Sequence, residues 1–120
     1  MNRYEVEFSP RALSSLREAT HYILQDSGTG RASDWLTRIM RSTDTLKTHP
    51  RAFRIVGAYE GEDVHARVVM RHVLYYLVDD DVRVVTVIDV VHAAHGTARD
   101  RFEPPGVRER ESGKRQMVSV

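Results

Sequence analysis

At Ser9-Pro10 the apolar residues of this chain stop alternating and begin to recur at helical spacing, and near Phe53 the pattern returns to strands. Those two changes exclude all-α and all-β folds. Tyr4, Val6 and Phe8 alternate with Glu5 and Glu7, the period of two of a half-buried strand. Ser9 then has the oxygen a helix start needs, and proline fits the first helical position because its missing N–H has no partner there anyway. Leu13, Leu16, Ala19, Thr20, Ile23 and Leu24 follow at helical spacing. The run Asp26-Ser27-Gly28-Thr29-Gly30 breaks that pattern, with glycine able to close a helix in a left-handed conformation. A second stripe begins near Arg31: Ala32, Trp35, Leu36, Ile39, Met40, Thr43 and Leu46. His49-Pro50 ends it, since the residue before a proline disfavours helix. Two helices across a Gly-bearing link read as an antiparallel hairpin.

The remainder reads as β. Phe53 to Ala58 is a candidate short strand, and Tyr59-Glu60-Gly61-Glu62-Asp63 a polar turn. Ala66–Met70, His72–Val78 and Arg83–Val91 are rich in Val, Ile, Tyr and Thr, with Asp79-Asp80-Asp81 as the hairpin turn between the last two. Val82 to Val91 is apolar at most positions, as in a strand covered on both faces. The order is strand, two helices, then three or four strands: an α+β fold with a helical hairpin on a small twisted, mainly antiparallel sheet. The first strand cannot join its neighbour by a hairpin, because two helices intervene, so it is expected at an edge.

Past Gly96 the composition changes. The last 24 residues hold two prolines, two glycines, six of the 18 basic side chains and four of the 17 acidic ones. Residues 97–120 are therefore expected to form a charged, flexible tail, ordered at most near Phe102, behind a domain of residues 1–96. The whole chain is at +1, which argues against non-specific nucleic-acid binding. Without cysteine there is no disulfide, thiolate zinc site or Cys nucleophile. No apolar run approaches the ~20 residues of a membrane span, and Met1–Phe8 lacks the apolar core of a signal peptide, so a cytoplasmic protein without membrane contact is expected.

Few motifs carry chemistry. Gly28-x-Gly30 lacks a third glycine and follows a helix, so it reads as a turn and not a dinucleotide loop. His92-Ala93-Ala94-His95 has two metal-ligand types but no third ligand nearby, and no metal or cofactor is expected. Contiguous acids at Asp79–Asp81 point in different directions, which suits a solvated turn better than a cation site. Arg67, Arg71 and Arg83 lie on or beside successive strands, with Tyr75, Tyr76, His92 and His95 near. Such a basic and aromatic face binds RNA and, with a proton donor, cleaves it; the competing reading is a solvated face of paired arginines.

The ordered set Tyr4-x-Val6-x-Phe8-Ser9-Pro10-x-Ala12-x-x-x-Leu16, Ala32-x-x-Trp35-Leu36, Leu46-x-x-x-Pro50, Arg71-His72-Val73-Leu74-Tyr75-Tyr76-Leu77-Val78-Asp79-Asp80 and Val87-Ile88-x-Val90-Val91-His92 resembles the ParE/RelE toxin superfamily, specifically the ParE-like plasmid-stabilisation toxins. The resemblance covers about residues 3–96 and implies a β-α-α-β-β-β fold. It also implies the toxin of a type II toxin–antitoxin module, neutralised by a cognate antitoxin. ParE-like members act on DNA gyrase, whereas RelE-like members are ribosome-dependent mRNA endonucleases. The ribonuclease motif Tyr-Arg-x-x-Tyr corresponds here to His72, Val73 and Tyr76, and Ala93 and Ala94 stand where further basic residues follow the last strand. A guanidinium that stabilises a pentavalent phosphate has no substitute in Val or Ala.

The resemblance therefore implies a gyrase inhibitor without enzymatic activity. A RelE-like nuclease acting on ribosome-bound mRNA through Arg67, Arg71, Arg83, Tyr76, His92 and His95 is the alternative, and a non-toxic protein-binding member of the fold is a third. Leu24, Trp35 and Ile39 are the apolar positions on the hairpin offered to the antitoxin, although the neighbours of Trp35 also suit a core position. A homo-oligomer formed together with the antitoxin is compatible with the toxin readings.

Overall fold

The computed structural model describes residues 3–96 and 98–105. It contains β1 (Glu5–Phe8), α1 (Pro10–Ser27), α2 (Thr29–Thr48), β2 (Ile55–Tyr59), β3 (Glu62–Val69), β4 (His72–Asp79) and β5 (Val84–His92), then a 3-10 turn at Ala98–Asp100. The five strands form one sheet in the order β1-β5-β4-β3-β2. β1 is an edge strand, as expected, and runs parallel to β5; every other pairing is antiparallel. Four strands follow the helices, the larger of the two numbers the sequence allowed.

Ser9 makes the start of α1 and ties it to the sheet. Its hydroxyl accepts the Ala12 N–H at 3.1 Å and donates to the Ile88 carbonyl at 3.2 Å. The helices meet at a single residue, so the expected five-residue link is shorter. Gly28 donates its N–H to the Leu24 carbonyl, closing α1, and accepts from Ala32, opening α2. Its φ of 90° is a conformation that glycine alone adopts without strain. α2 ends at Thr48, where the Pro50 signal placed its stop.

Both helices pack on one sheet face. Ala12, Leu16, Trp35, Ile39 and Leu46 meet Leu74, Tyr76, Val85, Val87 and Val90. The alternation along β5 slips once: Tyr75 pairs with Asp89 and Tyr76 with Val87, leaving Ile88 as an extra residue. After this bulge Val90, and not Asp89, joins the helix-side core. β3 begins four residues before the expected Ala66, because the β2–β3 turn needs only Glu60 and Gly61, both with positive φ.

The opposite face carries Val64, Tyr75 and Val91, with Phe102 packed on them. Past β5, residues 98–103 cross this face as a strap. The Phe102 ring stands edge-on to Tyr75 at 4.9 Å and to Tyr59 at 6.4 Å, and Glu103 forms a two-hydrogen-bond bridge with Ala58 on the β2 edge. Gly57 permits this approach, since a Cβ there would lie 2.7 Å from the Phe102 Cβ. Residue 97 and residues 106–120 of the expected tail lie outside the described residues. No described helix is long and apolar enough to cross a membrane.

Two stability measurements check these assignments. Ser9→Ala removes a cap and a tether together and is expected to cost about 1–2 kcal/mol by denaturant titration. Gly57→Ala is expected to cost about 1–3 kcal/mol by overpacking against the strap; a Gly57→Ala protein as stable as the parent contradicts the docking of Phe102.

Candidate functional site

A cleft of about 1130 Å³ opens where the helical hairpin passes over the far halves of β4 and β5. It exists because β1 pairs only with Val84–Val87, so among the described residues the rest of β5 has no strand neighbour on that side. Ala19, Ile23, Trp35 and Val90 give it an apolar floor, and Arg11, Arg31, Arg38, Arg71 and Arg101 surround it. Glu18, Asp34 and Asp89 are its acids. Arg11 and Arg101 pair with Asp89; among the described residues Arg31, Arg38 and Arg71 form no ion pair. The cleft therefore carries a local positive surplus that the near-neutral composition conceals.

Three histidines form a row along one end. The Trp35 indole N–H donates to His72 Nδ1 at 3.2 Å, which places the proton of neutral His72 on Nε2. The His72 ring meets His92 at 5.1 Å, and His92 meets His95 at 5.4 Å. His92 Nδ1 accepts the Ala94 N–H at 3.1 Å, which fixes its tautomer in the same sense. Burial, then His92 and His95, hold the His72 pKa below its ordinary value. Among the described residues no three His, Cys, Asp or Glu side chains are grouped to hold a metal ion.

The sequence-derived candidates divide. Arg71, His92 and His95 line the cleft together. Tyr76 does not reach it: the residue is fully buried, its ring stacks on His65, and its hydroxyl donates to the Pro50 carbonyl. Burial pushes that hydroxyl up to about 12. Arg67 lies over the Phe53 ring at 4.5 Å. Arg83 is at the other end of the sheet, 5.6 Å above the Tyr4 ring, in a cluster with Arg51 and Asp80. The convergence of these residues with the histidines on which the alternative nuclease reading rests does not occur, because the strand register separates them. Asp79 Oδ1 accepts the N–H groups of Asp81 and Val82, so the acidic run is a turn, as read.

Of the apolar positions offered to a partner, only Leu24 is exposed, at 42%. Ile39 is fully buried and Trp35 nearly so, because the stripe they share faces the sheet. Trp35 nevertheless forms part of the cleft floor. The sequence reading missed Arg31, Arg38 and Asp89. The i, i+7 spacing of the two arginines on α2 was a visible signal, whereas Asp89 showed only as one acid in an apolar run.

His72 gives the cleft a pH dependence. Its folded-state pKa lies below the unfolded value of about 6.5, so the unfolded chain takes the proton first. Stability is expected to fall as pH drops below about 6.5, until the folded-state value is passed. In unfolding titrations between pH 7 and 5, His72→Gln should flatten this slope; an unchanged slope would assign it elsewhere.

The sequence model described as the ParE toxin of the type II toxin–antitoxin system parDE matches residues 6–96. No curated protein matches the sequence. Among solved structures, the chain is similar to the chromosomal ParDE system from P. aeruginosa, with a TM-score of 0.63 and 9% identity over 77% of this chain and 98% of that one. It is similar to the archaeal RelE–RelB complex from Pyrococcus horikoshii, with a TM-score of 0.53 and 13% identity over 80% of this chain and 100% of the other. The toxin–antitoxin complex RelBE2 from Mycobacterium tuberculosis gives a TM-score of 0.51 and 21% identity over 75% and 98%. At these identities the structures establish the shared fold, two helices on a mixed five-stranded sheet, while the match over residues 6–96 establishes the family. This chain belongs to the ParE toxins of type II toxin–antitoxin systems.

Proposed function

We propose that this toxin arrests growth by inhibiting DNA gyrase, and that a cognate antitoxin neutralises it by occupying the cleft. The observation that carries the gyrase reading is the dispersal of the residues a RelE-like nuclease would need. Val73 stands where the nuclease motif has arginine, Tyr76 spends its hydroxyl on Pro50, and Arg67 and Arg83 are held outside the cleft. A buried phenol with a pKa of about 12 is a poor proton donor near neutral pH. What remains is a binding surface, in which an apolar floor and arginines at the rim suit a protein segment with apolar and acidic side chains. The ParDE and RelB-bound relatives support an antitoxin partner.

One observation favours the second reading, ribosome-dependent mRNA cleavage: Arg71, His92 and His95 do share the cleft. The two are separated by purified components. Gyrase supercoiling is expected to be inhibited by the toxin and restored by the antitoxin, and translated message is expected to be left as intact by the toxin as by its His92→Ala/His95→Ala variant. Undisturbed supercoiling, together with cleavage of translated message that this variant abolishes in primer extension, would establish the nuclease instead.

A further inference from the structure

One acid interrupts the long apolar run of β5, and packing does not account for it. Asp89 is 6% exposed, and taking a carboxylate out of water costs several kcal/mol, roughly, unless strong partners replace the water. It lies just after the bulge at Ile88, on the stretch of β5 that extends past the pairing with β1 and has no strand neighbour beside it among the described residues. There Oδ1 accepts the Ser15 hydroxyl at 2.7 Å and the N–H of the next residue, Val90, at 2.9 Å. Oδ2 accepts Arg11 Nε–H at 3.2 Å and lies 3.6 Å from Arg101 Nη1. Arg101 also donates from Nη2 to the His95 carbonyl at 3.1 Å. One carboxylate thus joins α1, β5 and the strap.

Stability alone does not call for a carboxylate here, since replacing a buried ion pair by packed hydrocarbon is often neutral or stabilising. What hydrocarbon cannot do is aim two guanidiniums. Arg11, Ser15, Asp89 and Arg101 all line the cleft, where the Arg11 side chain is 74% exposed and that of Arg101 25%. Each guanidinium has five N–H donors and spends only some of them on Asp89 and His95. We infer that Asp89 is a positioning residue, which fixes Arg11 and Arg101 on the cleft wall so that the strap contributes a guanidinium to the surface that engages an anionic group of the target. The inference rests on the cleft being the target-binding surface, whichever target it binds.

The test compares full-length Asp89→Asn, Arg101→Met, their double variant and Arg101→Lys with the parent, expressed under titratable control. Growth arrest is the readout, and the thermal midpoint of each purified protein is measured alongside. Val78→Ala, at the far end of the sheet, serves as a control that loses stability without touching the cleft. Each single variant is expected to need at least about tenfold more toxin for half-maximal arrest. The double variant should be no weaker than the weaker single one, because both changes break one linkage. Arg101→Lys should not restore activity, since an ammonium cannot serve Asp89 and His95 with a rigid fork. Val78→Ala, with an equal or larger loss of midpoint, should arrest growth like the parent. Arrest by the Asp89 and Arg101 variants at parental levels, or a loss that follows the midpoint equally in Val78→Ala, overturns the inference. Supercoiling measured on the same proteins separates the two readings: a parent that arrests growth while gyrase works normally defeats the gyrase proposal, and the growth series still decides this one.

Discussion

β1 has four residues and β5 has nine, and the cleft depends on that difference. For the length of β1, the two strands pair and the sheet edge is closed. At Phe8 the chain leaves the sheet, and Ser9 turns it at once into α1, with one hydroxyl bonded both to the helix and to Ile88. α1 therefore runs over the remaining half of β5 and does not extend the sheet. A longer first strand would pair Ile88 to His92 and remove the gap into which Asp89 turns. The proline that starts the helix is thus also what opens the cleft.

Around that gap the apolar core and the charged cleft are segregated. The core lies between hairpin and sheet and is almost wholly apolar, from Leu16 and Ile39 to Tyr76 and Val87. Tyr76 and His65 satisfy polar atoms on the carbonyls of Pro50 and Phe53, so they pin the loop after α2. The cleft instead carries five arginines and three histidines over a floor that includes Trp35. A chain near zero net charge can bind charged partners when its charges are segregated in this way, and the near-neutral composition did not foretell a basic surface here.

Local signals in the sequence made most of the architecture legible. Ser9-Pro10, Gly28 and His49-Pro50 mark real helix ends, and the valine-rich runs are real strands. The misreadings have a common cause, which is that turns and faces are set by partners distant in sequence. Glu62 and Asp63 look like loop residues until they pair with Tyr59 and Ala58 across a two-residue turn. Ile39 looks available to a partner until α2 is rotated onto the sheet. Arg67, Arg71 and Arg83 look like a set, yet β-strand register sends them to three environments. Asp89 was beyond reach, because its partners Arg11 and Ser15 are 78 and 74 residues away and its orientation depends on one bulge.

The cleft is the proposed surface through which this toxin meets its target, and the rim residue Tyr22, 69% exposed, offers the most direct view of that target. A photoreactive aromatic amino acid placed at this position and irradiated in arrested cells should become covalently linked to gyrase, and the link should disappear when the antitoxin is co-expressed. Crosslinks to ribosomal components in place of gyrase would contradict gyrase as the target.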